Sequence, residues 1–294
     1  GIDYHALVLD WCDWHVKGID KGMSTRPPVR VFVMGANTWR DATAWPLPGT
    51  TTRTLFFRSG GRLSWRPPTD DELARGYILL LPGIGSHGFH MAPMITGLRE
   101  GGVNRAIDLD AWGKRPFGSM VNLTNYEANR KESLRLVGKV EEYRRAHSDA
   151  PITIVGYSGG AGMAIFTAEA LPEDVSLDRI VLIGAALSPH YDLSKAISRC
   201  SRGVVSIYSE LDWATLGAGT EMLGTMDRQK TASAGYIGFR NPNDQLLARN
   251  GLTQIPWVPA WRKLGHAGNH TGYLSKWWAR DVLAPQLKLI SNRG

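Results

Sequence analysis

The sequence predicts an α/β fold: a doubly wound, mostly parallel sheet preceded by a short β-rich segment. Three observations carry this. From residue 76 onward, short apolar runs rich in Val, Ile and Leu alternate with longer stretches at helical spacing, the pattern of a parallel sheet covered on both faces. Before residue 70 the character differs, with Pro27-Pro28, Pro46, Pro48, Pro67-Pro68 and many tryptophans. One apolar run, Ile152-Thr153-Ile154-Val155, leads straight into Gly156-Tyr157-Ser158-Gly159-Gly160.

Taken in order, the first segment opens with a helix-like stretch, Leu7 to Lys17, carrying Trp11 and Trp14. A strand follows over Pro27 to Met34, and a second strand-like run, Thr52 to Arg58, stops at Gly60-Gly61. Two or three strands cannot bury a core alone, so this segment is expected to dock on another surface or to stay partly disordered. The second segment places strands at Tyr77–Leu81, Arg105–Leu109, Ile152–Val155, Arg179–Ile183, Val204–Tyr208 and Trp257–Trp261. Helices are expected between them, at Met91–Glu100, Tyr126–His147, Gly159–Leu171 and Ala214–Leu223. A last helix, Gly272–Leu283, puts Leu274, Trp278 and Val282 on one side, with Pro285 to end or kink it. The expected domains are residues 1–70 and 71–294.

The run ending in Ser158 has the form of a nucleophile elbow, a sharp strand-to-helix turn that holds a serine hydroxyl out at the carboxyl end of a sheet. Glycines flank the serine because the turn is strained and tight. Ala161, Ala164, Ile165, Ala168 and Leu171 continue at helical spacing, so the serine would stand at a helix N-terminus, where free N–H groups favour developing negative charge.

A serine hydroxyl needs a base, and the base needs an orienting carboxylate. The chain order for such an elbow is Ser, then Asp or Glu, then His, each following a strand end. The run Val204 to Tyr208 leads into Ser209-Glu210-Leu211-Asp212. Asp212 is the expected acid and Glu210 the alternative; capping of the following helix is the lesser reading for an Asp there. The segment Gly265-His266-Ala267-Gly268-Asn269-His270 precedes the last helix, with His270 the expected base and His266 the alternative. For an oxyanion, the amide of Gly159 is one expected donor. The other comes from Leu81-Pro82-Gly83-Ile84-Gly85, where Ile84 is expected and Gly85 is the alternative.

Composition narrows the partners. The net charge is +7, but Arg130, Lys131, Arg135, Lys139, Arg144 and Arg145 are interleaved with Glu132, Glu141 and Glu142, as on a solvated helix face; no nucleic-acid partner is expected. No apolar run reaches the ~18 residues of a membrane span and no signal peptide is visible, so no membrane partner and a cytoplasmic location are expected. Cys12 and Cys200 are the only cysteines and no His-Glu-x-x-His spacing occurs, so neither a disulfide framework nor a metal is expected. Gly83-Ile84-Gly85 lacks the third glycine of a dinucleotide loop, and no cofactor is expected.

Two resemblances add to this. The phrases Asp13-Trp14-His15-Val16-Lys17-Gly18, Pro27-Pro28-Val29-Arg30-Val31-Phe32-Val33-Met34-Gly35-Ala36-Asn37-Thr38-Trp39-Arg40 and Trp45-Pro46-Leu47-Pro48-Gly49 resemble the cocaine esterase / X-Pro dipeptidyl-peptidase hydrolases. There such phrases join the catalytic domain to a C-terminal jelly roll. The resemblance covers residues 1–68, carries none of that family's catalytic residues, and implies a β-rich fragment of jelly-roll origin. Residues 76–290, through Leu81-Pro82-Gly83-Ile84-Gly85-Ser86 and Gly156-Tyr157-Ser158-Gly159-Gly160-Ala161-Gly162-Met163-Ala164, resemble small bacterial members of the α/β-hydrolase superfamily. That resemblance implies a Ser-His-Asp triad and a small-molecule ester or acyl substrate. Two further readings stand beside it: a non-catalytic binding module on the same fold, and an X-Pro-type peptidase or acylase by analogy with residues 1–68.

Overall fold

The computed structural model describes residues 3–51, 56–57, 63–64, 66–85, 88–113, 119–240 and 251–288. They divide into two units, Gly1–Thr54 and Leu55–Gly294.

In the first unit, helix α1 (Tyr4–Lys17) starts at Asp3, whose carboxylate accepts from the N–H groups of His5 and Ala6, and ends at Gly18 in the left-handed region. Strands β1 (Val29–Val33) and β2 (Thr38–Ala42) form an antiparallel hairpin. The strand expected over Pro27 to Met34 is therefore present. Its partner was not anticipated, although Gly35 and Asn37, both at positive φ, are the residues such a reversal requires. No described residue of 3–51 is buried, so Tyr4, Leu9, Trp11, Val16, Met34 and Trp45 all stand exposed.

The second unit begins with the short antiparallel pair β3 (Phe56–Phe57) and β4 (Leu63–Ser64). The rest of the run expected over Thr52 to Arg58 lies outside the described residues. There follow α2 (Asp70–Ala74), β5 (Tyr77–Leu81), α3 (Ala92–Glu100), β6 (Ala106–Leu109), α4 (Ser119–Thr124), α5 (Tyr126–Ala146), β7 (Ile152–Tyr157) and α6 (Gly159–Ala170). Then come β8 (Arg179–Ile183), α7 (Ser194–Ser198), β9 (Val204–Tyr208), α8 (Gly219–Leu223), α9 (Ala234–Ile237), β10 (Leu252–Pro256), α10 (Lys276–Trp278) and α11 (Ala284–Leu287). Strands β5 to β10 form one parallel sheet in the order β10-β9-β8-β7-β5-β6.

This order makes a switch point. From β5 the chain moves outward to β6, then returns to the other side of β5 with β7 and continues outward the opposite way. Loops leaving β5 and β7 at their carboxyl ends therefore diverge and leave a crevice between them. Burial explains why the strands read as continuous apolar runs: both faces are covered. Leu79, Leu81, Ile154, Ile180 and Leu182 face Leu136, Val140 and Phe166 of α5 and α6. Ile78, Leu80, Val155, Val181 and Ile207 face Met94, Ile95 and Leu98 of α3, with Trp278 and Leu283. Among the described residues no helix is long and apolar enough to cross a membrane.

Two expectations are corrected. The last strand is Leu252–Pro256, and Pro259–Leu264, which overlaps the expected Trp257–Trp261 strand, is a 3-10 turn. Pro256 is the last paired residue of the edge strand, one further bond runs from Trp257 N–H to Tyr208 O at 2.8 Å, and Pro259, lacking an N–H, then sits in the first turn of the helical segment. The expected helix Gly272–Leu283 is a broken series: a 3-10 turn His270–Leu274, α10, a π turn Ala279–Leu283, and α11. Pro285 does not end it. The widened π turn accommodates a ring that would clash with the carbonyl four residues back, and Pro285 lies in the first turn of α11.

Phe166 is fully buried, with Tyr126 edge-on at 5.4 Å and the Arg130 guanidinium 5.3 Å over its ring. Phe166→Ala is expected to cost about 3–5 kcal/mol. Urea unfolding of the full chain measures it, and a loss below about 1 kcal/mol would contradict the packing described.

Candidate active site

Ser158 follows β7 directly and has φ 57° and ψ −121°, a conformation side-chain-bearing residues rarely adopt. The neighbours over-determine it. The Ser158 N–H donates to Ile183 O at 2.8 Å, at the end of β8, and its own carbonyl accepts from Ala186 N–H at 3.2 Å and Ala161 N–H at 3.0 Å. A Cβ on Gly160 would overlap the Leu81 carbonyl oxygen, which is why this motif position has no side chain. Helix α6 starts at Gly159, so its unpaired N–H groups lie just beyond the serine.

The loop after β5 lies over this turn. A Cβ on Gly83 would stand 3.6 Å from Ser158 Oγ, and one on Gly159 would stand 3.4 Å from the Ile84 nitrogen. Gly83 and Ile84 thus approach Ser158 and Gly159 closely. The loop is held on each side of the Gly83–Ile84 peptide. Trp112 Nε1 donates to Pro82 O at 2.7 Å, and Asn122 Nδ2 donates to Ile84 O at 2.9 Å. Asn129 Nδ2 in turn donates to Asn122 O at 2.7 Å. Trp112 and Asn122 are buried. Among the described residues nothing lies within 4 Å of where a side chain on Gly85 would begin.

Asp212 stands four residues beyond β9 and is 2 % exposed. Its Oδ2 lies 2.6 Å from His270 Nδ1. With Nδ1–H donating to the carboxylate, Nε2 remains as the basic nitrogen. The imidazole is held from below by Tyr157, whose ring stacks on it at 4.9 Å and whose hydroxyl donates to His270 O at 3.0 Å. Burial, and after it the Asp212 charge, push the Tyr157 phenol above its ordinary range, so it stays a donor. The ring edge reaches the end of β8: His270 Cε1 is 3.5 Å from where a Cβ on Gly184 would stand.

The alternatives lie elsewhere. Glu210 is exposed. His266 is fully buried, and its Nδ1 accepts the Gly268 N–H at 3.1 Å. Of the two histidines, His270 is the one bonded to Asp212. The expectation for Asp212 as a helix cap is not met: no side-chain capping bond is made, and the π turn Trp213–Ala218 begins after it. Trp112, Asn122 and Tyr157 were not singled out from the sequence. Tyr157 was visible inside the motif; Trp112 and Asn122 carry no local signal, since only the folded chain brings them to the β5 loop. Among the described residues no three His, Cys, Asp or Glu side chains group as a metal site.

A cleft of about 580 Å³ is lined by Tyr126, Ser188, His190, Asp227, Arg228 and Thr231 among others, and by none of Ser158, Asp212 and His270. Tyr126 and the 227–231 stretch come from two loop-rich segments, Trp112–Tyr126 and Met222–Asn250. Residues 114–118 and 241–250 of those segments lie outside the described residues.

Comparison with known proteins adds a family. Residues 21–114 match the X-Pro dipeptidyl-peptidase C-terminal non-catalytic domain. A candidate serine esterase of Mycobacterium bovis is 35% identical over 77 residues, 26% of this chain and 12% of that protein. The cocaine esterase of Rhodococcus sp. (strain MB1 Bresler) is 41% identical over 49 residues, 17% of this chain and 8% of that enzyme. The chain therefore spans only a small part of the curated relatives it matches. Ser158, Asp212 and His270 lie outside residues 21–114, whereas Ile84 lies inside. Among solved structures, the poly(3-hydroxybutyrate) depolymerase LpqC of Bordetella parapertussis overlays at TM-score 0.47 and 12% identity, covering 72% of this chain and 80% of that one. XC6422 of Xanthomonas campestris, described as a serine hydrolase without a lid, overlays at TM-score 0.39 and 11% identity, covering 71% and 80%. At such scores the strand order and the turn at Ser158 define the fold, rather than the overlay. The chain has an α/β-hydrolase fold and is related, through its N-terminal part, to the cocaine esterase / X-Pro dipeptidyl-peptidase family.

Burial lowers His266 from its ordinary 6.5 to about 4. The folded state keeps it neutral while the unfolded chain protonates it below 6.5, so its contribution to stability is complete above pH 6.5 and is lost as pH falls towards 4, a span worth about 3 kcal/mol. His266→Asn is expected to melt well below wild type at pH 7.5 and closer to it at pH 4.5. An equal gap in melting temperature at both pH values would contradict this.

Proposed function

We propose that the chain is a serine hydrolase that cleaves a carboxylic ester or related acyl bond through an acyl-enzyme. One observation carries the reading: the 2.6 Å bond between His270 and Asp212 occurs at the same strand edge where Ser158 is held at φ 57°. Ser158 Oγ attacks the acyl carbon as His270 Nε2 takes its proton, and Asp212 stabilises the imidazolium that forms. The oxygen that becomes negative is received by the N–H groups of Gly159 and Ile84. These donors cost no reorganisation, because the Pro82 and Ile84 carbonyls on either side are already held by Trp112 and Asn122. The imidazolium returns its proton to the leaving alcohol, and a water activated by the same nitrogen then releases the acid and frees Ser158.

The esterase names of the relatives support this chemistry, although those relatives match only 77 and 49 residues of this chain. The stretch between β8 and β9 holds a single short helix, α7, so no large lid arises there to enclose a long chain. A small-molecule ester with a short or medium acyl group suits such a site.

Ser158 is expected to react with a fluorophosphonate probe, as read by mass spectrometry, and Ser158→Ala to lose p-nitrophenyl acetate hydrolysis by more than about 10³-fold. Wild-type turnover in that variant, or no labelling of the folded protein, would overturn the assignment and favour a binding module. p-Nitrophenyl butyrate is expected to turn over faster than the laurate ester; the reverse order would contradict the open site. Asn122→Ala is expected to lower kcat about tenfold with little change in KM, since its bond serves the oxyanion donor loop; an unchanged kcat would show that the loop holds without it.

A further inference from the structure

Two loops from different parts of the chain must hold one short distance. Asp212 rides on the turn after β9, and His270 on the segment that follows Trp257. Between them stands Ser209, the first residue beyond β9 and fully buried. Its hydroxyl donates to Gly268 O at 2.6 Å and accepts the Leu211 N–H at 3.3 Å. Its backbone is tied as well: the N–H donates to Gly235 O at 3.0 Å, and the carbonyl accepts the Asp212 N–H at 3.0 Å. Ser209 therefore touches the acid loop through its carbonyl and hydroxyl, and the histidine loop through its hydroxyl alone.

Gly268, two residues before His270, is held from its other side. Its N–H donates to His266 Nδ1. His266 is itself wedged edge-on against Tyr273 at 4.3 Å and Trp278 at 5.5 Å, and its carbonyl accepts from Trp257 Nε1 at 3.0 Å. The Gly268 residue is thus pinned between Ser209, on the sheet, and His266, in the aromatic core. Among the described residues, the only other hydrogen bond that links the β9 turn to the 265–270 loop is the Asp212–His270 bond itself.

We propose that Ser209 is a positioning residue for the Asp212–His270 pair. Its hydroxyl fastens the histidine loop to the acid loop, with His266 as the fixed anchor behind it, so the 2.6 Å bond is set by the scaffold before substrate arrives. This rests on the serine hydrolase reading above for its kinetic consequence. Its structural consequence is independent of that reading.

The test uses the full chain with Ser209→Ala, Ser209→Thr, Asp212→Asn and the Ser209→Ala/Asp212→Asn double variant, assayed with p-nitrophenyl acetate. Ser209→Ala is expected to lower kcat about tenfold with KM within about twofold, Ser209→Thr to restore most of it by keeping the hydroxyl, and Ser209→Ala to have no further effect once Asp212 is Asn. Wild-type kcat in Ser209→Ala, or the same tenfold loss in the Asp212→Asn background, would overturn the proposal. Ser209→Cys, close in volume with a weak donor, replaces the alanine variant if the latter does not fold. The His270 Nδ1 proton, followed by NMR at low field, supplies a readout without turnover. Faster exchange in Ser209→Ala with recovery in Ser209→Thr supports the positioning role even if wild type proves inert towards esters, and unchanged exchange overturns it.

Discussion

Along β7, β8 and β9 the backbone ladder runs parallel, with Tyr157 opposite Ile183 and Ile183 opposite Ile207. Because the strands share one direction, the residues that follow them emerge on the same edge and at nearly the same level: Ser158 after β7, Gly184 after β8, Ser209 and Asp212 after β9. The ladder also supplies the force that keeps Ser158 in its unfavourable backbone conformation. Its N–H is bonded to Ile183 O, the next rung beyond the β7–β8 pairing. An unfavourable φ costs on the order of 1–3 kcal/mol, and the two-sided burial of the sheet provides the stability against which that cost is set. Loss of the register would move the serine, its loop over Gly83 and the acid together.

The switch between β5 and β7 adds the second requirement. It puts the Pro82–Gly85 loop beside the serine turn, where Gly83 and Ile84 approach Ser158 and Gly159 closely. Whether that loop presents its amides then depends on groups distant in sequence, Trp112 and Asn122, which take up the carbonyls on either side. The histidine side is built the same way. His270 is held by Asp212, by Tyr157 beneath its ring, and through Gly268 by Ser209 and His266. In both places a backbone or imidazole group is held by residues distant from it in sequence.

The N-terminal unit obeys a different logic. Its helix is well capped and its hairpin paired, yet no described residue between 3 and 51 is buried. Local hydrogen bonds define these elements, while burial, the main source of tertiary stability, is missing within the unit. The match to the X-Pro dipeptidyl-peptidase C-terminal non-catalytic domain over residues 21–114 does not stop at this unit but extends on into β5 and β6.

By itself the sequence determined the alternation of strands and helices after residue 76, five of the six strands of the sheet and the strained serine turn. Each of these is written in local pattern: apolar runs buried on both sides, and glycines where a side chain would collide. It also narrowed the acid to Asp212 or Glu210 and the base to His270 or His266, because both pairs lie at the ends of the right elements. The sequence already preferred His270, and the tertiary structure pairs that residue, not His266, with Asp212. The two differ in little but surroundings, one meeting a carboxylate at 2.6 Å and the other enclosed by Trp261, Tyr273 and Trp278. The edge strand at Leu252–Pro256 and the broken helix around Pro285 were likewise decided in three dimensions, since pairing with β9 and packing against α3 overrule the local periodicity. The same holds for Ser209, Trp112 and Asn122. Their partners are between 30 and 59 residues away along the chain, and no spacing rule connects residues that only a folded sheet brings within hydrogen-bonding distance.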